Sequence, residues 1–294
     1  MTDAGADSGW FESVPPDDLE AARKAIENGS TETPTDWPTT AVEAGFAEDK
    51  EEYYDRLQEA TIYATREAVK ERERADDQQL THSIRAMDDC ERTANELAER
   101  VAEWAGSLFD DTEPGIDGAR AIAEREPESE VERRAVSLAT RVVELANERD
   151  ELEATIDRLA PAVAPNLAEM AGPELAARLI ALAGGLESLA KKPSGTVQVL
   201  GAEDALFAHL SGRAPSPKHG IIYTHEYVRN TRPEDRGSAS RALAGKLTLA
   251  ARVDHYAGER RETLHEELRE RMVAIRARGG ADDEAASDEE DTDE

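Results

Sequence analysis

Aromatic side chains are scarce, at 4% of 294 residues, so a core must be built from Ala, Leu and Val. Helix formers dominate what remains, and the chain reads as all-α. A single cysteine, Cys90, excludes an intramolecular disulfide and fits a reducing compartment; it reads as a small helix residue. No run of 18 apolar residues occurs, and no apolar segment follows basic residues at the N-terminus, so a soluble, cytoplasmic protein is expected. The histidines and the cysteine lack His-x3-His or Cys-x2-Cys spacing, and neither a structural metal nor a cofactor is expected. There is no glycine-rich phosphate loop and no nucleophile elbow, so no catalytic set is expected and the chain reads as a non-enzyme. Positive charge is also in short supply: 35 Lys and Arg, only 7 of them Lys, stand against 65 Asp and Glu, a net −30. Carboxylates at this density suit a cytoplasm at molar salt, and periodic apolar positions argue against a wholly disordered acidic chain.

Residues 1–50 carry twelve acids and three bases, with Pro15, Pro16, Pro34 and Pro38 as breakers. A short helix is expected over Asp17–Asn28, closed by Gly29. Trp10, Phe11 and Trp37 are either a small local core or anchors for a partner. From about residue 51 to 160 the pattern is heptad. Leu80, Ile84, Met87, Glu91, Ala94, Ala98, Val101, Ala105 and Leu108 alternate steps of four and three. Val131, Ala135, Leu138, Val142, Leu145, Arg149, Leu152, Ile156 and Leu159 do the same after a turn containing Pro114, Gly115 and Gly118. Two seams of equal length fold back most simply as an antiparallel coiled-coil hairpin. That register sets Glu91 opposite Arg149. Pro161 and Pro165 are expected to end the second helix, and Pro173 to open another. Thr196–Leu200 reads as extended, and a helix from Gly201 to about Leu210 buries Leu206 and Phe207. After Gly258 an amphipathic helix carries Leu264, Leu268, Met272 and Ile275, and the acidic residues 281–294 are expected to be disordered.

Between Gly185 and Arg252 the sign of the charge reverses, with ten bases against six acids. Such a reversal is where a polyanion would dock. Lys218 and His219 before Gly220 suit a nucleic-acid edge, the ring stacking on a base and the ammonium meeting a phosphate. In a helix over Ser238–Tyr256, Arg241, Gly245, Thr248 and Arg252 share one stripe.

Four blocks in this half also carry a resemblance: Ala164–Leu167 (APNL), Ala177–Phe207 (ARLIALAGGLESLAKKPSGTVQVLGAEDALF), Pro217–Tyr223 (PKHGIIY) and Arg236–Asp254 (RGSASRALAGKLTLAARVD). In this order they resemble the Nop domain of core scaffold proteins of archaeal box C/D small ribonucleoproteins. The resemblance implies a compact helical domain, residues 161–257, that clasps a kink-turn guide RNA together with a small ribosomal-type RNA-binding protein. It also implies a self-associating coiled coil and an N-terminal region that positions the methyltransferase fibrillarin for 2′-O-methylation of rRNA or tRNA. Candidate RNA-binding residues are Lys191, Lys192, Gly201, Ala202, Lys218, His219, Arg236, Arg241, Lys246 and Arg252. Glu203, Leu206 and Phe207 are candidates for the protein partner. Two positions depart from the family pattern: Asp204 and Ser238 stand where the family has lysine. Here the N-terminal region is also shorter than the family's α/β domain. The heptads alone would equally suit a coiled-coil interaction scaffold without an RNA role.

Overall fold

A computed structural model describes residues 9–29 and 35–290, with side chains as far as residue 277. Among the described residues there is no strand, as the composition implies. The chain divides into two compact units, the first ending at Ala75 and the second starting at Asp76.

The first unit contains α1 (Leu19–Asn28), α2 (Trp37–Glu43) and α3 (Lys50–Glu73). Asp18 and Asp49 cap α1 and α3, their carboxylates accepting from the amides of Ala21 (3.0 Å) and Glu52 (2.9 Å). Trp10, Phe11, Phe46 and Tyr53 are buried together. Trp10 meets Phe46 edge-on at 5.3 Å, and its indole N–H donates to the Tyr53 hydroxyl at 3.2 Å. Trp37 packs against this cluster half-buried. The tryptophans and Phe11 are thus a local core. Because Tyr53 and Ala60 complete it, α3 belongs here, and the break falls at residue 75 where the heptad reading had residue 50.

The second unit opens with α4 (Asp76–Ala105), α5 (Gly115–Ala123) and α6 (Glu130–Val163). Leu80, Ile84 and Met87 of α4 cluster with Ile156 and Ala160 of α6, while Ala98, Val101 and Ala105 cluster with Ala139 and Val142. The start of one helix meeting the end of the other defines an antiparallel pair. Ala119 and Ile122 of α5 are buried at its distal end.

The seam on α6 is rotated from the heptad reading. Ala135, Ala139, Val142, Ala146, Ile156 and Ala160 are its buried residues, whereas Leu138, Leu145, Leu152 and Leu159 are half-buried and Val131 is exposed. Alanines let the backbones approach, and the leucines straddle the contact. Midway, at residues 88–93 and 147–155, no side chain is buried. The expected pairing of Glu91 with Arg149 does not form. Glu91 is exposed, and Arg149 pairs along its own helix with Glu153 (3.2 Å) and Asp150 (3.1 Å), partners closer in sequence than any across the hairpin.

Pro161 does not stop α6, which runs to Val163; the ring lies on the exposed side of the last turn. Then come α7 (Pro165–Ala171), α8 (Pro173–Ala183), α9 (Leu186–Lys191) and α10 (Ser194–Val199). The β-branched run at Thr196–Val199 is therefore helical, since burial of Val197 overrides its extended preference. α8 ends at Gly184, whose φ of 87° is open to glycine without strain. Next are α11 (Glu203–Leu210), a 3-10 turn at Ile221–Thr224, α12 (Glu226–Arg229), α13 (Arg236–Tyr256) and α14 (Glu262–Glu290). Leu243, Leu247 and Ala250 of α13 and Leu268, Met272 and Ile275 of α14 join one core with α7, α8 and the base of the hairpin. α14 continues into the acidic stretch from residue 281, where alanine and glutamate favour helix; residues 291–294 lie outside the described residues.

A buried polar node ties these helices together. Asp254 accepts from the amides of Asn166 (3.0 Å) and Leu167 (2.9 Å) and from the Asn166 side chain (2.5 Å). The Asn166 side chain also donates to the Glu259 carbonyl (2.9 Å) and accepts from the Arg261 amide (2.6 Å). The Asp254 carboxylate thus caps α7 from α13, and Asn166 holds the loop leading to α14. Asp254→Ala strands three buried donors and is expected to cost about 3 kcal/mol, read as a lower urea midpoint at unchanged slope. Glu91→Ala, by contrast, is expected to change stability by under about 0.5 kcal/mol in the same assay.

Candidate nucleic-acid interface

The loops on either side of α11 are laced together. Gly220 donates to the Gln198 carbonyl (2.8 Å), Ile221 to the Leu200 carbonyl (2.7 Å), and the Gln198 side chain to the Lys218 carbonyl (2.7 Å). A Cβ at Gly220 would lie 2.0 Å from the Leu200 oxygen, so glycine is required by close approach. This lacing sets Lys218 and His219 beside the start of α13. The His219 ring stacks on Tyr223, centroids 4.5 Å apart and planes 22° from parallel. The Arg236 guanidinium lies over the other ring of that stack, 5.4 Å from the Tyr223 centroid. Its Nε donates to the Thr231 carbonyl at 3.0 Å. Lys218 lies alongside Gly237. Residues from two sequence blocks thus form one cationic and aromatic cluster, Lys218–His219–Tyr223–Arg236. Tyr223 ends the Pro217–Tyr223 block, but nothing in its spacing marks it as the ring on which His219 and Arg236 converge.

The other candidates fall elsewhere. Gly201 takes φ 81°, and its amide donates to the Glu203 carboxylate (2.9 Å), while that of Ala202 donates to the Val199 carbonyl (2.9 Å). Both amides are committed within the chain, which leaves contact through shape for these two candidates. Glu203 acts here as an internal cap. Lys191 pairs with Glu187, and Lys192 is half-buried. Arg252 donates to the carbonyls of Ala190 (3.0 Å) and Lys192 (3.4 Å), closing the C-terminus of α9 as a cation does. Lys246 pairs with Glu267 of α14. Arg241 is exposed, but Thr248, placed beside it by helical spacing, is buried and donates to the Ala244 carbonyl at 2.7 Å. The expected stripe therefore sits at the edge of the buried arc and does not form one cationic face.

α11 differs from its expectation too. None of its residues is buried: Leu206 is half-buried, and Phe207 and Leu210 are 64% and 75% exposed. Arg213 lies 5.9 Å from the Phe207 ring centroid. The helix expected to bury Leu206 and Phe207 thus turns Phe207 outward.

Residues 112–275 match the family model described as "Nop: snoRNA binding domain, fibrillarin". The chain belongs to the Nop family. It is 33% identical over 271 residues to an uncharacterized NOP5 family protein of Methanocaldococcus jannaschii, spanning 80% of this chain and 66% of that one. It is 44% identical over 121 residues to nucleolar protein 56 of Schizosaccharomyces pombe, 41% of this chain and 24% of that one. The chain thus spans about two thirds of the first relative and a quarter of the second. A solved fibrillarin/Nop5p complex contains a chain matching at TM-score 0.51 and 25% identity, over 87% of this chain and 92% of that one. In this Nop-family chain the laced loops and the Asn166–Asp254 node all lie within the matched span.

Burial of the His219 ring, reinforced by the Arg236 charge and to a smaller degree by Lys218, holds its pKa below the ordinary 6.5. The ring is accordingly neutral at neutral pH and offers stacking rather than charge. A proton on it is disfavoured in the fold, so its contribution to stability is complete above about pH 6.5 and is lost as pH falls through the lowered value. An NMR titration is expected to place the His219 midpoint below that of a histidine in a flexible peptide, and Arg236→Gln is expected to raise it.

Proposed function

We propose that this chain is a scaffold of a box C/D ribonucleoprotein: it binds a kink-turn guide RNA already held by a small ribosomal-type protein, and recruits fibrillarin for guide-directed 2′-O-methylation of rRNA or tRNA. The methyl transfer is the partner's chemistry, and the chain contributes placement. Family membership supports the RNA and fibrillarin partners. The observation that carries the site is the Lys218–His219–Tyr223–Arg236 cluster, a neutral imidazole stacked on a ring between two cations. Such a surface meets phosphate with its cations and a splayed base with its rings. The exposed Phe207 and Leu210 on α11 supply the apolar face for the protein bound to the RNA. The first unit is the portion that holds fibrillarin, the antiparallel pair α4–α6 is the surface for self-association, and the assembly is cytoplasmic.

Net charge constrains how such a scaffold holds RNA. At about 1 M salt the screening length is about 3 Å, so long-range attraction contributes little, and a chain at −30 gains none from its surroundings. Affinity must come from contacts that salt does not screen, made to a composite of RNA and protein. Filter binding is expected to show negligible affinity for naked kink-turn RNA and firm binding to the RNA with its protein bound, retained as KCl approaches about 1 M. Loss of one stacking contact is worth about 1–3 kcal/mol, so His219→Ala is expected to weaken the complex about tenfold. Phe207→Asp is expected to abolish discrimination between naked and protein-bound RNA. Equal affinity for naked RNA, or dissociation at high salt, would contradict the reading. Co-purification of protein partners without RNA would favour the coiled-coil interaction scaffold instead.

A further inference from the structure

A groove runs along α8 in three adjoining cavities, the first of which abuts the laced loops. The first, about 410 Å³, lies between Ile84, Leu182, Gly201 and Ile221, with Arg85 and Asp88 at its edge and Arg178 on its border with the second. The second, about 490 Å³, has Met87, Ile156 and Leu175 in its wall, with Glu153, Asp157 and Glu174 around them. Gly172, Thr224 and His225 are shared with the third, about 360 Å³, bordered by Glu226 and His265. Each cavity suits one or two side chains, and the run of three suits an extended segment.

The walls specify its charge. Arg178 already shows how a guanidinium is received here, 2.7 Å from Asp88 and 2.8 Å from Glu174. Glu153 is matched by Arg149, but Asp157 and Glu226 form no ion pair among the described residues, and both are exposed. His225 between them brings no positive charge. Its Nε2 lies 3.0 Å from the Met170 carbonyl, and its Nδ1 accepts from the Tyr227 amide at 3.1 Å. That fixes the neutral Nε2–H tautomer, and burial depresses its pKa. An RNA phosphate would be repelled by the lining of the second and third cavities, whereas Lys and Arg carry both a cation for their carboxylates and an aliphatic stem for the apolar wall.

We propose that the α8 groove is a docking site for an extended basic segment of another protein, with Lys or Arg side chains alternating with apolar ones. The second and third cavities, where the cations dock, are opposite to the RNA surface in charge preference. The apolar residues enter the cavities, and the cations reach Asp157 and Glu226.

The test uses the full chain and a fluorescein-labelled octapeptide of alternating arginine and leucine, followed by anisotropy. Two double variants make the same change in net charge: Asp157→Lys with Glu226→Lys in the groove, and Glu99→Lys with Glu103→Lys on the distal half of α4. The groove variant is expected to weaken binding at least tenfold and the distal variant less than twofold. Hydrogen exchange with bound peptide is expected to show protection at the start of α8 and at the 3-10 turn. Equal loss in the two variants would overturn the proposal, because it would make the binding a property of net charge. So would protection confined to other segments, or no saturable binding by the parent chain.

Discussion

One carboxylate holds the second unit in register. Asp254, near the end of the long helix α13, reaches the first turn of α7, and Asn166 beside it hands the connection on to the chain entering α14. A charge is costly to bury unless its hydrogen bonds are made, and here three donors meet it. The arrangement tolerates little slack: a slide of α13 by one residue would carry Asp254 out of reach. Since Arg236 starts the same helix, the position of the cationic cluster is fixed from the far end of α13. The APNL and RVD blocks therefore bear on binding indirectly, through the frame they set.

Much of this frame was legible in the sequence because its signals are local and periodic. The seam of α4, the proline start of α8 and the apolar face of α14 all follow from spacing. The failures have a common source in side chains whose environment is set by distant residues. The rotation of the α6 seam from leucine to alanine depends on how closely α4 approaches, and periodicity gives a stripe without its centre. Thr196–Val199 is extended by propensity and helical by contact. α11 carries Leu206 and Phe207 as an apolar pair that reads as buried, yet Phe207 faces outward with the Arg213 guanidinium beside it.

The basic residues illustrate the same limit. Counting them locates the region of reversed sign, but only geometry distinguishes uses. Arg252 closes a helix, Lys246 ties α13 to α14, and Arg236 is held by the Thr231 carbonyl above an aromatic ring. In a chain this acidic, cations are few enough that several serve the fold. What remains for a polyanion is small and aromatic in character, matching the neutral state of His219.

The alanine seam of the hairpin bears on mechanics. Large side chains between helices act as compliant spacers, since each can change rotamer and let the axes drift. In the distal half the contact is mostly of methyl groups with less such freedom, because Ala94, Ala98 and Ala105 on one helix and Ala135, Ala139 and Ala146 on the other carry no side-chain torsion that could relax, whereas Leu80, Ile84, Met87 and Ile156 fill the other half. The distal half is thus the stiffer part of a strut of about 45 Å, bounded by the polar stretch around Glu91 and Arg149 where no buried side chain resists bending. Flexing would concentrate at that stretch, about which the distal half moves as one body.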